Sequence, residues 1–330
     1  MAILVTGAAG FIGSHVAEAL LRRGDDVIAF DNLNEFYDPA LKRRNLAEVA
    51  ATAAAAGRRF QFHQADLRDA DAVQAAFADG SIGAVVHLAA AAGVRPSIEQ
   101  PGLYAEVNVG GTLHVLEAAR AAGVRRVVFA SSSSVYGNSP KVPFSEDDAV
   151  DHPISPYAAT KKAGELLCHC WHHLHGLSVA CLRFFTVYGP RQRPDLAISR
   201  FTRNIAAGAP IPLYGDGSSS RDYTYVDDIA AGVLAAVDWT RKAAPAYGIF
   251  NLGHATPVPL HRLVALIEQE VGQAARIERL PPQPGDVERT FADTGRAQAE
   301  LGFAPTTSIE QGIAQYVAWF RAREAEVGVG

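Results

Sequence analysis

The sequence predicts an α/β fold, a doubly wound parallel sheet carrying a second, smaller mixed α/β domain. Three observations predict it. Apolar runs of strand length alternate with longer amphipathic stretches; the chain, at 330 residues, is long for one compact core; and beyond Phe185 the alternation breaks into Gly- and Pro-rich segments. Strands buried on both faces read as continuous apolar runs, and repeated strand–helix–strand units give a parallel sheet.

In chain order, residues 3–6, 27–30, 60–64, 84–88, 127–130 and 179–184 are the strands of that sheet. Residues 12–23, 70–78, 109–122 and 157–175 are amphipathic and long enough to be crossover helices. The alanine-rich stretch 47–56 needs only its helix propensity to explain it. Gly189-Pro190-Arg191, Pro210-Ile211-Pro212 and Gly215-Asp216-Gly217 mark the change of domain, with shorter helices at 198–207 and 260–271. Residues 226–237 read as a helix and 248–251 as a strand that returns to the first sheet. The expected division is therefore 1–185 and 186–330, with a returning segment near 226–251.

Composition narrows the function. With 48% hydrophobic and 20% charged residues and a mean hydropathy of +0.03, the chain belongs with ordinary globular proteins. The formal net charge is −5, and Lys and Arg are interspersed with Asp and Glu, so no basic stripe exists to neutralise a nucleic-acid backbone. No apolar run reaches the roughly 20 residues that span a bilayer, and Met1 to Gly7 has no basic segment ahead of its short apolar stretch. A cytoplasmic protein without nucleic-acid or membrane partners is expected. Cys168, Cys170 and Cys181 form no disulfide framework and read as reduced thiols.

Gly7-Ala8-Ala9-Gly10-Phe11-Ile12-Gly13 follows the first strand and opens the first helix. That is the setting of the Rossmann dinucleotide fingerprint, where glycines allow a tight turn and let backbone N–H groups and the helix dipole meet a diphosphate. Any strand-to-helix turn also favours glycine, so later residues must decide. Asp31 ends the second strand about 20 residues on, where a carboxylate can bond both ribose hydroxyls and repel a 2′-phosphate, which favours NAD over NADP. Asp66-Leu67, after the third strand, is placed to face the adenine.

Tyr157 and Lys161 stand four residues apart on one helix, which stacks phenol and ammonium on one face. A neighbouring cation makes a tyrosine a better base by stabilising its phenolate. Ser131-Ser132-Ser133-Ser134-Val135-Tyr136-Gly137 leaves the fifth strand at its C-terminal end, where open α/β sheets bind ligands, and a serine there can hydrogen-bond a reacting oxygen.

Taken with His87-Leu88-Ala89-Ala90, Asn108-Val109-Gly110-Gly111-Thr112 and Arg221-Asp222-Tyr223-Thr224-Tyr225-Val226-Asp227-Asp228, these residues resemble the extended short-chain dehydrogenase/reductases over nearly the whole chain. The resemblance implies Ser132, Tyr157 and Lys161 as the catalytic residues, with Tyr157 the base. It implies a cofactor surface of Gly7, Gly10, Phe11, Ile12, Gly13, Asp31, Asn32, Asp66, Leu67, Leu88, Ala89, Ala90, Asn108, Ser131, Tyr157, Lys161 and Phe184. Dehydrating members carry Asp-Glu directly after the triad hydroxyl residue; here Ser133 and Ser134 stand there, which disfavours dehydration. A homodimer through the Tyr157 helix and its neighbour is also implied.

The stretch from Asp31-Asn32-Leu33-Asn34 to Lys42, and Phe184-Phe185-Thr186-Val187-Tyr188-Gly189-Pro190, are similar to UDP-glucuronate 4-epimerases. Related epimerases of neutral UDP-sugars usually have Asn where Thr186 stands. The resemblance implies a UDP-sugar substrate contacted by Arg95, Ser132, Ser134, Thr186, Arg193, Leu213, Tyr214, Arg221 and Asp286. Arg193 would face the sugar carboxylate, since a guanidinium pairs with a carboxylate through two parallel bonds. Gln283 departs from members with arginine at that place. Decarboxylation of UDP-glucuronate or epimerisation of a neutral UDP-sugar would use the same residues, and an NAD-binding regulator would not need Tyr157 and Lys161. Cys168, His172 and His175 share a helix face as metal ligands might, but they continue the Tyr157 helix and read as helix packing with polar edges, so no metal is expected.

Overall fold

The computed structural model describes residues 1–78, 80–281 and 289–327. Within them the order is β1 (Ala2–Thr6), α1 (Phe11–Arg23), β2 (Asp26–Asp31), α2 (Pro39–Ala56), β3 (Phe60–Gln64), α3 (Ala70–Ala75), β4 (Ile82–His87), α4 (Val94–Glu99), α5 (Pro101–Tyr104), a π-helical turn (Ala105–Gly110), α6 (Gly111–Ala121), β5 (Arg126–Ser132), a 3₁₀ turn (Ser133–Tyr136), α7 (Pro156–His175) and β6 (Ser178–Phe184). Then come β7 (Thr186–Tyr188), α8 (Ala197–Ala206), β8 (Pro210–Tyr214), β9 (Ser220–Tyr225), α9 (Val226–Trp239), β10 (Tyr247–Leu252), β11 (Pro257–Pro259), α10 (Leu260–Val271), β12 (Arg276–Leu280), α11 (Gly295–Leu301) and α12 (Ile309–Val327).

The central sheet has seven parallel strands in the order β10-β6-β5-β4-β1-β2-β3. Strand order reverses between β1 and β4, and their C-terminal ends frame the crevice where such sheets bind ligands. Side chains alternate across the sheet. Ile3, Val5, Val86 and Leu182 pack with Val16, Leu20, Ile229 and Val233 of α1 and α9 on one face, while Leu4, Val85, Phe129 and Cys181 pack with Val115, Leu116 and Cys168 of α6 and α7 on the other. β3 departs from a strand buried on both faces: it is the sheet edge, and its Phe60 and Phe62 alternate with polar Gln61 and His63.

β10 joins the first sheet beside β6, so the chain returns after leaving at Phe185. The remaining strands form a three-stranded sheet, β11-β9-β7, and a pair, β12-β8. Tyr188, Phe201, Ile211, Leu263, Ile267, Ile313 and Tyr316 build a separate core there with α8, α10 and α12. A clasp ties the two parts together. Arg191, in the left-handed region at φ 62°, reaches Glu18 of α1 at 2.6 Å and Glu48 of α2, which also takes Arg323 of α12.

Candidate active site

The turn from β1 into α1 is built so that a side chain has no room. A Cβ on Gly13 would lie 2.0 Å from the Gly7 carbonyl oxygen, and one on Gly7, itself at φ +73°, would lie 2.8 Å from Ala89 N. Gly10 caps α1 with no side-chain bond, and no acidic residue stands in the first turn, so the N–H groups of Phe11, Ile12 and Gly13 open the helix without a side-chain cap. This cradle fits a diphosphate on a helix N-terminus. Phe11 itself is buried and Ile12 packs against the core.

Asp31 lies at the end of β2, its carboxylate accepting from Ala9 N at 3.2 Å and Leu33 N at 2.8 Å. Burial pushes its pKa up. Asn32 donates to Asp66 at 2.9 Å, and Arg68 grips the same carboxylate, holding it down to a pKa of about 2. On the opposite wall Leu88 N bonds Thr6 O and Ala89 N bonds the Thr6 hydroxyl, which fixes Leu88, Ala89 and Ala90 at the end of β4. Phe184 closes the end of β6, almost wholly buried.

Three residues expected on the cofactor surface turn their side chains elsewhere. Leu67 is core, packed on Gly111 where a Cβ would meet it at 2.7 Å. The Asn108 amide donates to Ala91 O and Thr160 Oγ1 and accepts from Ala91 N, so it pins the loop after β4 to α7. The Ser131 hydroxyl donates to Glu165 at 2.6 Å, inside the buried Glu165–Arg183 pair. In each case a protein partner satisfies the polar group or the core takes the apolar one.

Ser155 caps α7, accepting from Ala158 N, and Pro156 starts the helix, which sets Tyr157 on its first turn. The Tyr157 hydroxyl is hydrogen-bonded to Ser132; burial raises its pKa, while that bond and the charge of Arg193 lower it. Tyr104 meets the Tyr157 ring edge-on at 6.2 Å. The Ser132 Oγ accepts from Ser134 N and donates to the Ser134 hydroxyl at 3.0 Å. Lys161 donates to Ala130 O at 2.8 Å, 5.9 Å from the Tyr157 ring centre, and burial brings its pKa down to about 8. Among the described cations, Arg193 is thus the one whose charge favours the phenolate in the free protein.

Arg193 is mostly buried, bonded through Nε and Nη2 to the two carboxylate oxygens of Asp195 at 3.0 and 2.9 Å, with Phe36 across its face at 5.2 Å. Thr186 stands half-buried on β7, opposite Tyr223 of β9. Arg95 of α4 and Tyr214 of β8 meet, the guanidinium 5.3 Å from the ring centre. Leu213 is buried against Gly217, and Arg221 on β9 donates to the Ser220 carbonyl. Asp286 and Gln283 lie outside the described residues. Sequence reasoning gave no role to Asp195, Phe36 or Tyr104. Asp195 stands two residues after Arg193, which is the one signal that could have flagged it.

In the Cys168–His175 stretch, Cys168 is in the core, His172 bonds the Leu177 carbonyl at 2.8 Å, and His169 meets Tyr247 edge-on at 5.0 Å. Among the described residues no cluster of three or more His, Cys, Asp or Glu is arranged to hold a metal. No helix in them is long and apolar enough to cross a membrane.

Chemically, the arrangement offers a half-buried tyrosine whose phenolate can accept a proton, a hydroxyl beside it, an ammonium behind it and a guanidinium within electrostatic reach. Comparison with known proteins agrees. The model of the NAD dependent epimerase/dehydratase family matches residues 3–253. The chain is 44% identical to a UDP-glucuronate 4-epimerase of Thermodesulfobacterium geofontis, over 96% of this chain and 95% of that one. It superposes on the UDP-glucuronic acid 4-epimerase of Bacillus cereus, solved with UDP-glucuronic acid and NAD, with a TM-score of 0.89 at 35% identity, covering 98% of this chain and 100% of that one. A UDP-glucose 4-epimerase of Thermotoga maritima, solved with UDP-glucose, gives 0.88 at 33% identity with the same coverage.

Proposed function

This chain belongs to the NAD dependent epimerase/dehydratase family, and we propose that it is a UDP-sugar 4-epimerase that converts UDP-glucuronate to UDP-galacturonate. The observation that carries the choice of sugar is Arg193, a largely buried guanidinium whose charge reaches the Tyr157 hydroxyl. A guanidinium there, held by Asp195 on its Nε–Nη2 edge, suits a sugar that brings its own carboxylate, because the remaining N–H groups can pair directionally with it. The similarity to proteins named UDP-glucuronate 4-epimerase supports the same reading.

In this proposal Tyr157 takes the proton of the 4-hydroxyl while Ser132 hydrogen-bonds that oxygen, with Ser134 supporting Ser132. NAD, seated on the glycine turn with Asp31 at its ribose, supplies reversible hydride acceptance at carbon 4. Lys161 would hold the nicotinamide ribose. Once the 4-keto sugar has turned over, Tyr157 returns its proton to the oxygen and the opposite configuration results. Arg95, Leu213, Tyr214 and Arg221 hold the nucleotide. Ser133 and Ser134 provide no carboxylate for water elimination, so oxidation and reduction at carbon 4 is the chemistry left to the site.

The 4-keto intermediate of UDP-glucuronate is a β-keto acid, which loses carbon dioxide when the bond to its carboxylate aligns with the carbonyl π system. Thr186 and Arg193 are assigned to keep that bond near the carbonyl plane by directional bonds to the carboxylate. The test is NMR of the products from UDP-glucuronate and UDP-glucose with wild type, Thr186→Val and Arg193→Ala. UDP-galacturonate as the main wild-type product, with selectivity for the acid sugar lost in the variants, is expected. UDP-pentose as the main wild-type product, or unaltered selectivity in both variants, refutes the proposal. We further propose a cytoplasmic homodimer through α6 and α7, supported by the exposed Leu113, Leu166 and Leu174 on those helices; light scattering tests it.

A further inference from the structure

Arg193 is gripped by groups to which the reaction above gives no task. Asp195 accepts from its Nε and Nη2 in a two-pronged pair, and Phe36, on the segment that leaves Asp31, covers one face. The grip uses one edge of the guanidinium and leaves the Nη1 side outside the pair. Arg193 is 18% exposed and Asp195 46%, so the cation is the inward partner and the carboxylate the outward one. A bidentate pair fixes both the position and the plane of a guanidinium.

We propose that Asp195 is a specificity-setting positioning residue: it aims the free edge of Arg193 at the sugar carboxylate and sets the net charge that Tyr157 faces. The proposal rests on the substrate reading given above. Its electrostatic consequence follows from counting charges. With a neutral sugar bound, Arg193 and Asp195 sum to zero. With a uronate bound, the same cluster carries one negative charge beside the group that must become phenolate. The phenolate is then harder to form, and the acid limb of turnover with UDP-glucuronate lies at higher pH than with UDP-glucose. The groups facing Tyr157 are Ser132 from the end of β5, Tyr104 from α5, Lys161 from its own helix and Arg193. Those facing Arg193 are Asp195, Tyr37, Phe36, Tyr104, Tyr157 and, from α2, the ammonium of Lys42. Replacing Asp195 changes the sum while leaving the base, the residues assigned to the cofactor and the Arg193 side chain themselves in the sequence.

The test is the pH dependence of initial epimerisation rates for the holoenzyme, with UDP-glucuronate and with UDP-glucose, in wild type, Asp195→Asn and Asp195→Glu. Asp195→Asn is expected to move the acid limb to lower pH with both sugars, by on the order of one pH unit. It should also lower the preference for UDP-glucuronate by about tenfold, chiefly through KM, as the guanidinium loses its aim. Asp195→Glu, which restores the charge, should bring the limb back. An unmoved limb in an Asp195→Asn protein that melts within a few degrees of wild type overturns the proposal, and so does an equal loss with both sugars. Wild type that turns over UDP-glucose alone would defeat the substrate reading instead, and the limb measured with UDP-glucose would still decide the charge role.

Discussion

Gly10 and Gly13 lie in the same turn, but the structure gives them different tasks, and exchanging each for alanine separates cofactor seating from folding. An alanine Cβ at Gly13 would stand 2.0 Å from Gly7 O, 2.7 Å from Gly7 C and 2.9 Å from Ala8 Cα. All three are backbone atoms, so the turn itself must open. Overpacking of this kind costs about 1–3 kcal/mol, and Gly13→Ala should melt a few degrees lower even without nucleotide. At Gly10, with φ −76°, the Cβ meets only Gly7 O, at 3.2 Å, and otherwise enters open space over the helix N-terminus. Gly10→Ala should therefore fold nearly as well as wild type, losing at most about 1 kcal/mol at a cap position, while its methyl takes the place a diphosphate needs. The assay is thermal melting of nucleotide-free protein with and without NAD. At a free NAD concentration of 100 Kd, wild type gains about 2.7 kcal/mol by mass action; a hundredfold weaker Gly10→Ala would gain only about 0.4 kcal/mol. An NAD-induced shift in Gly10→Ala equal to that of wild type, or a nucleotide-free Gly13→Ala as stable as wild type, would refute the reasoning.

Tyr157→Phe keeps the ring and deletes the proton acceptor, so turnover should fall by on the order of a hundredfold or more with NAD still bound; activity within a few-fold of wild type removes Tyr157 from the role of base. Wild type should bind NAD more tightly than NADP, and Asp31→Ala should erase most of that preference; equal affinities in wild type, read by calorimetry, would count against Asp31. Lys161 has a folded pKa of about 8 against 10.5 for the free side chain, so the unfolded chain holds more protons between those values. Stability from this group accordingly rises with pH over that window, and its burial penalty, of order 3 kcal/mol, is fully present below pH 8. Urea midpoints of wild type and Lys161→Met should diverge in favour of wild type from about pH 8 to 10; a constant difference would contradict the buried, depressed lysine.

The strands of the first sheet were legible to within about two residues because most are apolar runs buried on both faces, which leaves that pattern little freedom, while β3, at the sheet edge, was legible from its aromatic residues Phe60 and Phe62. The smaller part was much less so. β7, β8, β9, β11 and β12 are short, two of them begin with proline, and their pairing joins segments far apart in the chain. α12 buries Ile313, Tyr316 and Val317 against core partners from α8 and α10, and no local pattern announces those partners. In the candidate site, local spacing sufficed to put Tyr157 and Lys161 on one helix and the glycines in the turn from β1 to α1, since helix and turn geometry fix them. It could not say where a polar side chain with two possible partners would turn. Ser131 and Asn108 are followed or preceded by residues that face the crevice, and only the fold shows that Glu165 and Ala91 have taken their hydrogen bonds.

The pair Arg191 and Arg193 shows how the placing of a residue assigned to the sugar depends on α1 and α2 of the first sheet. Two residues apart, they leave opposite sides of one loop. Arg191 is held in a left-handed conformation by Glu18 and Glu48 of the first domain's helices, and such a conformation persists in a non-glycine residue only when its surroundings hold it there. Gln192 between them is buried, its side chain accepting from Gly189 N. With Arg191 anchored and Gln192 fixed, the backbone has no freedom left to choose where Arg193 points. Phe36 reaches the same guanidinium from the segment that starts at Asp31, the residue assigned to the cofactor ribose. The aim of Arg193 is thus over-determined from the first domain on two sides and from Asp195 on a third. An arginine placed at the equivalent point of a loop lacking the clasp and the aromatic cover would bring the charge without the direction, and direction is what the proposed control of decarboxylation requires.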